Sequence, residues 1–109
     1  MNLPDFLNQG SMGEIRFVGS RIDLYFVIER YNEGWTAEMI ARDFDSIALA
    51  DVHKAIAFYL ENPQEVDAYM RDTNRLFDEA AAKYPHVDAD KLRTRLAEQH
   101  EKQAARAAE

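Results

Sequence analysis

Trp35-Thr36-Ala37-Glu38-Met39-Ile40-Ala41-Arg42-Asp43-Phe44-Asp45-Ser46-Ile47-Ala48-Leu49-Ala50-Asp51-Val52 is the stretch that decides the fold. Thr36 is placed to cap a helix, because its hydroxyl can accept an N–H that the first turn leaves unpaired. Glu38 falls in that turn, where a negative charge suits the helix dipole. Met39, Ile40 and Phe44 form the apolar side, and Trp35 precedes the cap as a hydrophobic staple. Asp45-Ser46-Ile47 reads as a tight turn. Leu49, Val52, Ile56 and then Tyr59 or Leu60 recur at helical spacing through Glu61.

Upstream, Arg21 to Glu33 predicts another helix. Asp23, Glu29, Arg30 and Glu33 share one side of a helical wheel, and Leu24, Tyr25, Ile28 and Tyr31 share the other. Gly34 stops it as a C-terminal cap. The wheel puts Phe26 in the middle of the polar face, which makes it a candidate contact residue. Three short helices, the last two around a tight turn, give a helix-turn-helix outline. Before them, Ile15 and Phe17 alternate with Glu14 and Arg16 between Gly13 and Gly19, the period of a short strand. Such a strand must pair within the chain or with a second copy. Residues 1–12 read as a loop after the apolar anchor Leu3 and Phe6.

Downstream, Asn62-Pro63-Gln64-Glu65 predicts a helix start, with Asn62 as the cap, Pro63 at the first helical position and Glu65 closing a capping box. Val66, Tyr69, Met70, Thr73, Leu76 or Phe77, Ala80 and Tyr84 follow at near-heptad spacing, fit for packing on the preceding helices or on another chain. Pro85 ends that helix, and Asp88 can cap a last one from about Ala89. The expected organisation is a hairpin plus helix-turn-helix domain over 1–61, a long packing helix over 62–84, and a helical or partly disordered arm over 85–109. The expected fold class is mainly α, with a small N-terminal strand or hairpin and a homeodomain- or winged-helix-like centre.

Composition narrows the function. The chain has 109 residues, no Cys, and a net charge of -7 from 13 Lys plus Arg against 20 Asp plus Glu. Thiol chemistry and disulfide scaffolds are excluded. The acidity lies in residues 1–84, whereas residues 85–109 balance five acids with five bases. Bulk attraction to a polyanion is therefore excluded, but a small directed basic face is not. The N-terminus lacks the basic and apolar regions of a signal peptide. The longest apolar run, Leu24 to Ile28, is far short of a membrane span. The expected location is cytoplasmic, with no membrane partner.

The run Gly19-Ser20-Arg21-Ile22, then Tyr31-Asn32-Glu33-Gly34-Trp35-Thr36-Ala37-Glu38-Met39-Ile40-Ala41, then Leu49-Ala50-Asp51-Val52 and Ala55-Ile56-Ala57-Phe58-Tyr59-Leu60 resembles domain-of-unknown-function family 433. The resemblance covers roughly residues 13–61. It implies a winged or hairpin-flanked helix-turn-helix, similar to VapB-type antitoxins, which are often paired with a PIN-like ribonuclease toxin. Asp23 and Asp45 stand where the family usually has Pro, and Ala48 stands where Thr usually caps the third helix.

No catalytic constellation is visible. His53, His86 and His100 have no ligand spacing, and His86 with Asp88 and Asp90 reads as a solvated loop. No phosphate loop or nucleophile elbow occurs. The expectation is a non-enzymatic protein without a cofactor or metal. Candidate DNA contacts are Arg16, Arg21, Arg42, His53 and Lys54, the last two beside Ala50 and Ala57 on the outer face of the third helix. The competing reading is a helix-turn-helix used only for packing. Candidate partner contacts are Phe26, Tyr69, Leu92, Arg93, Arg95 and Leu96, the last four on an arm whose bases could lie across an acidic ribonuclease site. The functional expectation is an antitoxin-like homodimer that binds operator DNA and a PIN-like toxin. A homo-oligomeric interaction module without DNA binding is the alternative, and a small-ligand binder with an aromatic pocket is a third reading.

Overall fold

The computed structural model describes residues 1–83. A two-stranded antiparallel hairpin, β1 (Leu7–Gln9) and β2 (Ile15–Phe17), leads into four helices. These are α1 (Leu24–Asn32), α2 (Ala37–Asp43), α3 (Leu49–Glu61) and α4 (Pro63–Lys83). The fold is mainly helical, as expected. The expected strand finds its partner within the chain, with Leu7 opposite Phe17 and Gln9 opposite Ile15. Part of the presumed loop 1–12 is therefore a strand. Gly19 closes the exit from β2 with φ 79, and Ser20 N–H donates to Phe17 O at 3.0 Å. A left-handed residue at that place in a turn calls for glycine.

Helix α1 lies at the centre, packed by β2, α2, α3 and α4. Five consecutive residues, Leu24 to Ile28, are buried. The wheel is corrected here, because Phe26 is 3% exposed and belongs to the core. Its ring meets Tyr25 edge-on at 5.5 Å and Phe77 of α4 at 6.2 Å. A helix enclosed on several sides needs more than one apolar face, and α4 covers the side that the wheel marks as polar.

The helix ends show how local chemistry sets the boundaries. α1 starts later than its sequence pattern suggests, because Asp23 is its N-cap and accepts from Tyr25 N–H at 2.8 Å. It ends as expected at Gly34, with φ 99. Gly34 N–H donates to Tyr31 O and Trp35 N–H to Arg30 O, the paired bonds of a Schellman ending. Thr36 caps α2 by accepting from Met39 N–H at 3.2 Å. α3 begins at Ala48 with no side-chain cap.

Asn62 stands at the junction of two helices, directly before Pro63, with its carbonyl accepting from Val66 N–H at 3.1 Å. Its side-chain amide also donates back to Phe58 O at 3.0 Å, so the same residue closes the end of α3. Within the helix-turn-helix, Ile40, Phe44, Ile47 and Val52 are buried. Met39, expected on the apolar side of α2, is exposed instead. Leu49, Leu60 and Leu76 are also exposed, whereas Tyr59 and Phe77 pack against the core.

Among the described residues no helix is long and apolar enough to cross a membrane. The same residues hold no group of three or more His, Asp or Glu placed to bind a metal ion.

Candidate functional site

Two surfaces carry the candidate chemistry. The first is the outer face of α3, where Ala50, His53, Lys54 and Ala57 are all exposed. Buried Val52, Ala55 and Phe58 hold the opposite face on the core. Ser20 Oγ lies 3.0 Å from Ser46 Oγ, which ties the loop before α1 to the turn before α3. Arg21, the next residue after Ser20, is exposed. Lys54 Nζ stands 3.8 Å from Asp51 Oδ1 and 6.0 Å from the centre of the Phe6 ring. His53 Nε2 stands 3.8 Å from Glu38 Oε1 of α2. Exposed pairs of this kind are weak and exchange readily for another anion.

The remaining candidates divide. Arg42 is exposed on α2. Arg16 stands on β2 with its guanidinium 3.9 Å from Glu14, and it borders the second surface. Tyr69 faces that surface too, with its hydroxyl engaged inside the chain. Leu92, Arg93, Arg95 and Leu96 lie outside the described residues.

The second surface is a cleft between the hairpin, the start of α1 and α4, and sequence reasoning missed it. One lobe, about 460 Å³, reaches Met12, Tyr69, Asp72 and Leu76. An adjoining lobe, about 250 Å³, reaches Tyr25, Phe26 and Phe77. Glu14, Arg16, Asp23 and Thr73 border both. At its centre Tyr69 donates its hydroxyl proton to Asp23, with both carboxylate oxygens 2.7 Å away. The same hydroxyl accepts from Ile15 N–H at 2.9 Å.

Burial pushes the Asp23 carboxyl up to about 6 from an ordinary 3.8. Bonds from Tyr25 N–H and Tyr69 and the charge of Arg16 oppose that rise, and Glu14 adds to it. Burial, followed by the charge of Asp23, also raises the Tyr69 phenol well above its ordinary 10. A sequence signal for this site existed. Asp23 interrupts the apolar run Ile22-Leu24, and a carboxylate among buried neighbours needs hydrogen bonds.

Residues 9–59 match the family described as "Protein of unknown function (DUF433)". These residues, just under half of the chain, are similar to DUF433. No curated protein and no solved structure matches the chain. The DUF433 match runs from the end of β1 through most of α3, so it contains Asp23, α2, the turn and all but the last two residues of α3. It stops before α4, which supplies Tyr69, Thr73 and Phe77. The cleft is thus built across the boundary of the DUF433 match.

Proposed function

We propose that this protein is a non-enzymatic, antitoxin-like DNA-binding protein whose α3 is the helix offered to operator DNA. The observation that carries this reading is the outer face of α3. It presents two small side chains, Ala50 and Ala57, beside His53 and Lys54, all exposed. Small residues permit close approach to a groove, and the basic ones supply phosphate or base contacts. Arg21, next to the Ser20–Ser46 contact, adds a base at the entrance of the same helix.

The partner-binding role falls to the C-terminal arm, whose five bases match an acidic ribonuclease site of the PIN-like type. Labelled DNA from upstream of the protein's own gene should shift at low salt, where electrostatic binding is strongest. Lys54→Glu combined with Arg21→Glu should abolish that shift, and absence of any wild-type shift refutes DNA binding. For the partner, the chain should co-purify with the product of the adjacent gene, and deletion of 86–109 should release it.

The homo-oligomeric alternative draws support from Leu60 and Leu76, which are 61% and 62% exposed. Light scattering on Leu60→Asp and Leu76→Asp tests it. Phe26→Asp cannot serve for this purpose, because it places a charge in the core.

A further inference from the structure

The cleft beside Asp23 has the parts of a ligand site that the helix-turn-helix reading does not use. Its size is that of a pocket for a small organic molecule. Asp23 borders both lobes. Among the described residues Asp23 takes part in no ion pair, and its hydrogen bonds come from two neutral donors, Tyr25 N–H and the Tyr69 hydroxyl. A carboxylate has about four acceptor positions, so at least one, on Oδ2, remains for a ligand.

Arg16 compensates the charge of Asp23 in part, and Glu14 works against that compensation. Arg16 is held near Glu14 at 3.9 Å, and Asp72 is 3.6 Å from Arg75. The lobe that reaches Phe77 offers apolar surface and an aromatic ring, against which an apolar or aromatic body can pack.

We propose that the Asp23 cleft binds a small organic cation, with an ammonium group on the Asp23 carboxylate and an apolar body against Phe77. With Glu14 offset by Arg16 and Asp72 by Arg75, Asp23 is the carboxylate that receives the ammonium group. Thr73 can accept from the ammonium group. The charged and titratable groups facing Asp23 are Glu14 and Arg16 from the hairpin, Tyr25 from α1, and Tyr69 and Asp72 from α4. Binding should therefore tighten as pH rises through about 6, where Asp23 gains its charge.

The test uses the full chain, isotope-labelled for amide NMR, titrated at pH 7.5 with 2-phenylethylammonium chloride. Phenylacetate is the control with the same ring and the opposite charge. Saturable shifts should appear at the amides of Ile15, Tyr25 and Thr73, with a Kd of about 1 mM or below. Phenylacetate should bind at least about tenfold more weakly, as should the amine to Asp23→Asn. Affinity for the wild type should also fall between pH 7.5 and pH 5, a reading that needs no variant. Absence of saturation by about 10 mM, equal binding of phenylacetate, or a pH-independent affinity overturns the proposal. Undiminished binding to folded Asp23→Asn does so as well.

Discussion

The Tyr69 hydroxyl stands 2.7 Å from both oxygens of Asp23, although the two residues are forty-six positions apart. Because it also accepts from Ile15 N–H, one phenol joins α4 to the start of α1 and to β2. Tyr69→Phe keeps the ring and removes all of these bonds. It leaves the Ile15 amide and the Asp23 carboxylate short of a partner in a partly buried place. The expected cost is about 1–3 kcal/mol. A urea melt should show a lower midpoint with an unchanged slope, and an unchanged midpoint contradicts the assignment.

Asp23 also makes stability depend on pH. Its carboxyl sits at about 6 when folded, against an ordinary 3.8. A folded value above the unfolded one means that the folded state holds the proton more tightly. The resulting stabilisation is full below about 3.8 and is lost as pH rises through about 6. Asp23→Asn keeps an acceptor for Tyr25 N–H and for Tyr69 without a titrating charge. Relative to wild type, this variant should gain on the order of 2 kcal/mol between pH 4 and pH 7. The difference between the two thermal-stability profiles isolates Asp23 from the other carboxylates. A flat difference across that window refutes the burial of its charge.

What was legible in the sequence was short-range. The Gly34 ending and the Thr36 cap each depend on residues within a few positions, and both stand where the sequence puts them. The helix-turn-helix core, Ile40, Phe44 and Val52, followed from helical spacing. What was not legible depended on distant partners. Leu7-Asn8-Gln9 has no β-branched residue, and only pairing with β2 makes it a strand. Phe26 looks exposed until α4 lays Phe77 against it. Asp23 falls on the polar side of the wheel drawn from Arg21, but it stands before the helix as its cap. Asn62 also bonds the helix before it, and Asp23 serves a residue on α4 as well as its own helix. The α3 face was legible because exposure follows from the period, whereas the cleft needs three elements brought together.

The missing cap of α3 offers a gain. Ala48 has φ -67 and ψ 147, the extended geometry of a capping residue, but no side-chain oxygen. It is exposed, so a larger side chain meets no core atoms. Ala48→Thr should let a hydroxyl accept from the first turn of α3 and stabilise the protein by about 1 kcal/mol. The midpoint of a thermal melt should rise by several degrees. If it does not, the first turn of α3 is already satisfied by another group.

Arg30 is the most enclosed cation of the helix-turn-helix. Its guanidinium carbon lies 4.4 Å from the centre of the Phe44 ring and 5.4 Å from that of Trp35. Its side chain is 17% exposed, and Nε is 3.6 Å from Asp43 Oδ2. The two rings come from either end of α2, so one planar cation ties α1 to both ends of the helix before the turn. Lysine keeps the charge but loses the flat face that stacks on rings. Arg30→Lys should therefore cost about 1 kcal/mol, and Arg30→Ala somewhat more through lost packing. Trp35 is the chain's single tryptophan, so its emission reports this contact directly. Both variants should shift that emission in the folded state, and the shift should precede global unfolding in a urea titration. An unchanged spectrum in Arg30→Ala would mean that the guanidinium does not rest on the indole, and that α2 is held by buried Ala37, Ile40 and Phe44.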